Sequence, residues 1–325
     1  MKKRYQCPLM LIVYGPTASG KTDLSYAIAT RLPAEIINMD SGQLYAPLSI
    51  GTAKPEWKKS TISHHLFDSV NEPVNYSAAD YRTALYKTVN KIIARGNLPI
   101  LVGGSGFYLH SLLFNYNTAI KNDAQNDEEL LSVYKPETDW WQELYRIDPE
   151  RAMAIEKADI YRIKRALSIW HTTGILPSQC APTYSPQADF LLIYTERDTQ
   201  KLAQRINVRV KEMMRQGWID EARQLIGTPW ESFLRIKNLI GYPELFDYLA
   251  GDQTEKDYNY MIELISAQTR QYAKRQRTFW RKLEREIKKE KLYTGDCIGC
   301  LETVDLDKTP IDVYTSELLK RLPLR

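Results

Sequence analysis

The chain has 325 residues, 44 of them Lys or Arg against 40 Asp or Glu, for a net charge of +4. With 43% hydrophobic residues it excludes a disordered chain, and no apolar segment reaches the roughly 20 residues of a membrane-spanning helix. So small a net charge does not by itself imply a nucleic-acid partner; the distribution of charge has to decide.

The opening MKKRYQC followed by PLMLIVY imitates a secretory leader. The apolar stretch, however, runs straight into a phosphate-binding string that cleavage would destroy, so a cytoplasmic protein is expected. Leu9 to Tyr14 predicts a buried strand, and residues 15 to 22 read GPTASGKT, a complete GxxxxGK-Ser/Thr loop. Gly15 and Gly20 let the backbone turn back, so that N–H groups along Pro16, Thr17, Ala18 and Ser19 can point at one anion. A helix starting near Lys21 adds its positive dipole end, and Leu24, Ala27, Ile28 and Leu32 recur at helical spacing after it. Lys21 supplies a mobile charge, and Thr22 a hydroxyl able to ligate Mg²⁺. The loop implies a diphosphate or triphosphate, without saying which reaction.

The run Glu35 to Met39 predicts a second strand, ended by Asp40. An acid at the carboxyl end of a parallel strand faces the crevice where ligands bind. In DSGQLY, the residues Asp40, Ser41, Gln43 and Tyr45 bring carboxylate, hydroxyl, amide and phenol together; a plain polar loop is the alternative. GTAKP at 51 to 55 and HHLFD at 64 to 68 suggest no chemistry of their own, and a structural role is expected for His64 and His65. After the strand Pro99 to Val102, Gly103 and Gly104 free the backbone to approach a ligand. Ser105 then offers either a hydroxyl for chemistry or a helix cap.

From about residue 121 to 186 the pattern becomes charged and aromatic, with a helix-like stretch from Pro149 to His171 and no strong strand. We read 121–186 as a helical insertion domain in an α/β core made of 1–120 and 187–325, which resumes at the strand Phe190 to Tyr194. Over 199 to 217, Leu202, Ile206, Val210 and Met213 mark an apolar face, while Lys201, Arg205 and Arg209 recur every four residues. Further on, Arg270, Lys274, Arg277, Arg281 and Arg285 share one helical face, with Tyr272, Phe279 and Trp280 interleaved. A solvated helix surface explains scattered charge, but a one-signed stripe with aromatics suits a phosphate backbone. Cys297 and Cys300 form a CxxC without the second pair a zinc site needs; with Cys7 and Cys180 they are expected to be free thiols.

Taken together, GPTASGKT, DSGQLY, GTAKP, HHLFD, LVGGSGFYL, YRIKRALSIW, LIGYPEL and QYAKRQRTFWRK resemble, in order, the tRNA dimethylallyltransferases, also called tRNA isopentenyltransferases. The resemblance spans residues 9 to about 285. It implies a P-loop NTPase-like, mostly parallel sheet flanked by helices, and transfer of the dimethylallyl group of dimethylallyl diphosphate to N6 of the adenosine 3′ of a tRNA anticodon, with Mg²⁺ as cofactor. By the same resemblance, Thr17, Ser19, Gly20, Lys21 and Thr22 hold the donor's diphosphate and Arg209 grips it from the other side. Asp40 matches a general base, and Ser105 a residue assisting departure of the diphosphate.

Segments matching tRNA contacts are Asp40, Ser41, Gly42 and Gln43; Tyr161, Arg162, Ile163, Lys164 and Arg165; Asn238, Gly241 and Tyr242; and Lys274, Arg275, Gln276, Arg277 and Arg281. Tyr161 and Ser168 stand where the family usually carries Gln and Glu. The partners implied are the tRNA anticodon stem-loop and the prenyl diphosphate, with no membrane, and a monomer is expected. The rival readings are a small-molecule kinase and an adenylate isopentenyltransferase, neither of which uses the basic C-terminal stripe, and an NTP-regulated RNA-binding protein without transfer activity, which leaves Asp40 and Ser105 unexplained.

Overall fold

The computed structural model of the chain describes residues 9–115, 133–134, 138–180, 182–290, 293–294 and 297–322. Two compact units emerge, one of Met1–Leu112 with Pro186–Arg325 and one of Leu113–Ser185. The boundary expected at residue 121 lies outside the described residues, as does Cys7.

The larger unit is built on a sheet whose strands are β1 (Leu9–Tyr14), β2 (Ala34–Asn38), β3 (His64–His65), β4 (Leu98–Gly103), β7 (Asp189–Glu196), β8 (Tyr293–Thr294) and β9 (Cys297–Asp305). Their order is β3-β2-β4-β1-β7-β9-β8. Pairings are parallel from β3 through β9, and only β8 runs antiparallel to its neighbour. β1 lies between β4 and β7 with Leu11 opposite both Ile100 and Leu191. Having no solvent side, it reads as an unbroken apolar run rather than an alternation.

The parallel strand β9 was not expected from the sequence. Glu302 and Asp305 interrupt it, and a strand near a sheet edge needs no continuous apolar run. Cys300 packs against the core on this strand, together with Val304. Helices α1 (Lys21–Ala29) and α12 (Ile311–Arg321) cover the same face through Leu24, Ile28, Tyr314 and Leu318. Each such side chain contributes about 1.5–3 kcal/mol on burial. Elsewhere in the unit, α2 (Ala78–Ala94) opens with a Ser77–Asp80 capping box, and α3 (Gly106–Leu113) follows β4.

In the smaller unit, β5 (Phe114–Asn115) and β6 (Thr183–Tyr184) form a short antiparallel ribbon. β6 falls in the interval expected to lack a strong strand; two residues are too few to leave a periodic signal. Helices α4 (Trp140–Ile147), α5 (Pro149–Met153) and α6 (Ile160–Thr173) are N-capped by the carboxylates of Asp139, Asp148 and Asp159. They close over Leu144, Ala152, Ile155, Ile163, Ala166 and Leu167.

The chain returns to the larger unit with α7 (Thr199–Arg215), α8 (Trp218–Arg223), α9 (Pro229–Lys237), α10 (Tyr242–Ala250) and α11 (Glu255–Lys289). α11 has 35 residues, hence about 50 Å of length. It crosses the carboxyl ends of the strands. Trp280 stacks on Tyr194 of β7 at 4.6 Å and 5°, and its ring is 6.0 Å from that of Tyr14 at the end of β1. One and two turns earlier, the same helix presents Gln276 and Tyr272 towards the loops that follow β1 and β2.

Candidate active site

The phosphate loop owes its shape to cations that hold its carbonyl groups. Lys21 Nζ donates to Pro16 O at 2.7 Å, Arg205 Nε to Ala18 O at 2.8 Å and Arg197 Nε to Ser19 O at 2.8 Å. Gly20 has φ 104°, a left-handed backbone that glycine adopts without strain, and α1 begins immediately after it. The first-turn N–H groups of α1 at Lys21 and Thr22 have no acceptor within the helix, which makes them an anion cradle. Ser19 is fully buried and bonded to Thr195 Oγ1 of β7 at 2.6 Å, so its hydroxyl supports the loop from beneath.

Gln276 fixes the loop from above. Its Oε1 accepts from Thr17 N at 2.8 Å and its Nε2 donates to Gly104 O at 2.8 Å, so one buried amide ties the loop after β1 to the loop after β4. This overturns the expectation that Gly103 and Gly104 let the backbone approach a ligand. A Cβ on Gly103 would lie 1.9 Å from Met39 O, and one on Gly104 2.2 Å from Gln276 Nε2. The glycines make room for protein.

Asp40 follows β2 and is held from both sides. Its N–H donates to Asn38 Oδ1 at 2.9 Å, and the Asn38 amide donates to Asp40 O at 3.0 Å and to Leu66 O at 2.9 Å. Asn38 is itself buried, and its carbonyl accepts from Tyr81 Oη at 2.8 Å. The Asp40 carboxylate accepts from Gly42 N at 3.0 Å. Burial pushes its pKa above the usual carboxylate value, against the opposing pull of the Gly42 N–H and of the charges on Lys21 and Arg209. Burial, helped by Arg209, lowers Lys21 to about 7 while Asp40 pulls it the other way. Ser105 Oγ accepts from Ser41 N at 2.9 Å, which places the hydroxyl beside the Asp40 loop and leaves its own proton to donate elsewhere.

Beside these groups opens a cavity of about 320 Å³. Thr17, Asp40, Ser41, Gly42 and Arg209 line one part of it, and Ile206, Val210, Met213, Trp218, Leu239 and Ile240 give it an apolar wall. Three of those apolar residues are the face foreseen on α7. Between them Arg209 enters the cavity, and burial lowers its pKa while Asp40 and Asp23 oppose the shift. A small branched hydrocarbon joined to a polyanion has matching chemistry on both sides of this space.

The strings without evident chemistry prove to be struts. Glu221 of α8 accepts from Ser49 N, Ile50 N and Gly51 N at 2.9, 2.7 and 2.9 Å, and from Tyr242 Oη at 2.7 Å. It thereby fixes the loop that places Gly51, Thr52 and Ala53 on the cavity wall. Lys54 of GTAKP meets Asp68 of HHLFD in a buried ion pair at 2.5 Å. His65 Nε2 lies 2.6 Å from Glu35, which Arg95 and Asn97 also bind. Asn38 and Glu221 were missed in the sequence, where neither stands in a recognisable pattern.

The IPP transferase family model matches residues 43–283. The chain belongs to this family. It is 38% identical over 288 residues to the tRNA dimethylallyltransferase of Petrotoga mobilis, covering 85% of this chain and 91% of that one. The tRNA dimethylallyltransferase of Enterococcus faecalis is 36% identical, with 84% and 88% covered. Among solved structures, a eukaryotic dimethylallyltransferase acting on tRNA superposes with a TM-score of 0.78 at 26% identity, covering 98% of this chain and 81% of that one. The tRNA isopentenylpyrophosphate transferase of Bacillus halodurans gives 0.59 at 30% identity, with 97% and 96% covered.

The residues of this IPP transferase expected to touch RNA divide by exposure. Tyr161, Arg162, Asn238, Lys274, Arg275 and Arg281 are exposed, and Arg275 borders the cavity. Lys164 lies 4.9 Å over the Trp140 ring, and Arg165 is half-buried on the same helix. Three expected contacts point inward instead. Ile163 sits in the core of the smaller unit, because position 163 shares a helical face with Ala166 and Leu167. Gln276 is the brace described above, and Tyr242 is buried against Trp218 with its hydroxyl on Glu221. The backbone of Gly241 lies against the Trp218 ring. Arg277 is partly spent on the protein, donating to Thr199 Oγ1 at 2.6 Å and to Arg197 O. Gln43 donates to Thr52 O at 3.0 Å. Of the cysteines, Cys180 and Cys300 are free thiols, the side chain of Cys297 lies outside the described residues, and no cluster of potential metal ligands occurs among the described residues. No described helix is long and apolar enough to cross a membrane.

Proposed function

We propose that this chain transfers the dimethylallyl group of dimethylallyl diphosphate to N6 of the adenosine 3′-adjacent to the anticodon, position 37, of tRNA in the cytoplasm, releasing diphosphate. One observation carries the reading: a carboxylate of raised pKa, an arginine and an apolar wall share one cavity at the mouth of the phosphate loop. A kinase has no use for the apolar wall, whereas a five-carbon prenyl chain fills it.

In this reading the diphosphate rests on the phosphate loop and the first turn of α1, with Lys21 and Arg209 on its oxygens. The prenyl tail lies along Ile206, Val210 and Met213. The adenine leaves the RNA stack and enters from the side of Asp40 and Ser41. The N6–C1 bond forms as the C1–O bond to the diphosphate breaks. Negative charge grows on the leaving oxygen, where Lys21, Arg209 and the Ser105 hydroxyl stabilise it. N6 sheds a proton to Asp40, whose raised pKa makes it a stronger base than a solvated carboxylate.

Thr22, exposed on the first turn of α1 beside Asp23, would be the residue to hold a Mg²⁺. Such an ion would add charge stabilisation at the leaving group. The deciding experiment incubates the protein with labelled dimethylallyl diphosphate, Mg²⁺ and unmodified tRNA, then digests the RNA. Label in dimethylallyladenosine is expected; label on free AMP alone, or phosphorylation from ATP without prenylation, would replace the reading.

A further inference from the structure

Lys237, the last residue of α9, takes no part in the chemistry above, yet it lines the same cavity as Asp40, Arg209 and Arg275. Its ammonium lies 5.6 Å from the ring centre of Tyr45 and 5.4 Å from that of Phe233. Asn75 Oδ1 accepts from it at 3.2 Å. Among the described residues no carboxylate offsets its burial, and desolvation alone pushes its pKa below that of an ordinary lysine.

Nearby cations are differently placed. Lys54 is neutralised by Asp68 and also donates to Tyr45 O, Arg205 and Arg197 hold the phosphate loop, and Arg209 feels Asp40 and Asp23. Two aromatic faces and one amide oxygen offset only part of the cost of desolvating an ammonium ion. The group that would complete this site is an anion.

We propose that Lys237 binds a backbone phosphate of the RNA beside the extruded adenosine, an inference that rests on the function proposed above. The donor's diphosphate is the other source of the same chemistry. The placement favours RNA. Besides Phe233 of its own helix, the groups around Lys237 are Tyr45 and Asn75, both on the segment between β2 and α2 that begins at Asp40, which in this reading is the side from which the adenine reaches its base. Asn238, immediately after Lys237, is exposed and also borders the cavity, so the lysine stands next to solvent, where an incoming strand can reach it. The phosphate loop, by contrast, already has Lys21 and the α1 N-terminus for the diphosphate.

The test compares wild type with Lys237→Met, which keeps the packing and removes the charge, and Lys237→Arg, which keeps the charge. Binding of an anticodon stem-loop RNA is measured by fluorescence anisotropy across a salt series, and dimethylallyl diphosphate binding by calorimetry. For Lys237→Met the RNA Kd is expected to rise about tenfold and the slope of log Kd against log salt to fall by about 0.7, the share of one single-stranded phosphate contact. Donor affinity should stay within about twofold, and Lys237→Arg should recover most of the RNA affinity.

Unchanged RNA affinity and slope in Lys237→Met would overturn the proposal. Weakened donor binding in its place would assign the residue to the diphosphate, and an equal loss in Lys237→Arg would assign it to packing; both reject the RNA contact. Because binding is read without turnover, a wild-type protein that binds RNA but prenylates none would sink the functional reading while the Lys237 contact is still decided by the salt series.

Discussion

Helices α7 and α11 carry basic residues at similar helical spacing, but their surroundings put those residues to different uses. On α7, Arg205 donates to the Ala18 carbonyl, Arg209 enters the cavity, and Lys201 approaches Asp307 at 4.0 Å. On α11, Arg270 is taken up by Asn207 and Glu263 and Arg277 by the chain at Arg197 and Thr199, whereas Lys274 and Arg281 are exposed. Arg205 and Arg209 of α7 therefore face the phosphate loop and the cavity, and only part of the α11 stripe is left for a polyanion outside the protein. A basic stripe in a sequence announces an anion; what the helix lies against decides which one.

Removing the carboxylate proposed as the base gives the largest expected effect. Asp40→Asn should lower kcat by about 10²–10⁴-fold, the usual range for losing a general base, with tRNA affinity nearly unchanged because the shape is kept. Single-turnover prenylation checks it, and undiminished turnover would reject Asp40 as the base.

Next come changes that set one helix against the other. Arg209→Ala should reduce donor affinity and turnover together, by about 10²-fold or more, and leave the salt dependence of RNA binding as it is. The double change Lys274→Ala with Arg281→Ala should do the reverse, raising the KM for tRNA and flattening its salt slope by about 0.7–0.9 per residue with donor affinity intact. Similar profiles for the two variants would erase the distinction between the helices.

A smaller effect concerns pH. Lys21, lowered to about 7, loses its proton above neutrality in the free protein, while a bound diphosphate favours the ammonium form. Donor affinity should thus decline as the pH rises from about 7 to 9, with proton uptake on binding. Calorimetry in buffers of different ionisation enthalpy reads that uptake. In Lys21→Arg, whose guanidinium stays charged, the decline should disappear, so a decline of equal size in that variant would place the titration elsewhere.

Local rules made some of the architecture legible. The strand, loop and helix at 9–29 could be read because a buried parallel strand must be apolar throughout and a phosphate loop needs glycine at fixed places. The apolar face of α7 was readable from its period. β9 was hidden by its acidic residues, and Gln276 by its place in a basic stripe, where a glutamine looks like surface. Gly103 and Gly104 were correctly marked as close approaches, but the approaching atoms are Met39 O and the Gln276 amide.

The sequence by itself determined the anion loop, the acid at the end of β2 and the family, because each depends on residue type at short spacing along the chain. Only the tertiary structure decided that Gln276 braces the loops, that Glu221 fixes the cavity wall and that Lys237 faces the cavity without a counter-charge among the described residues. Those pairings join residues 21 to 259 positions apart, and hydrogen bonds and charges act through distance in space, which spacing along the chain does not encode.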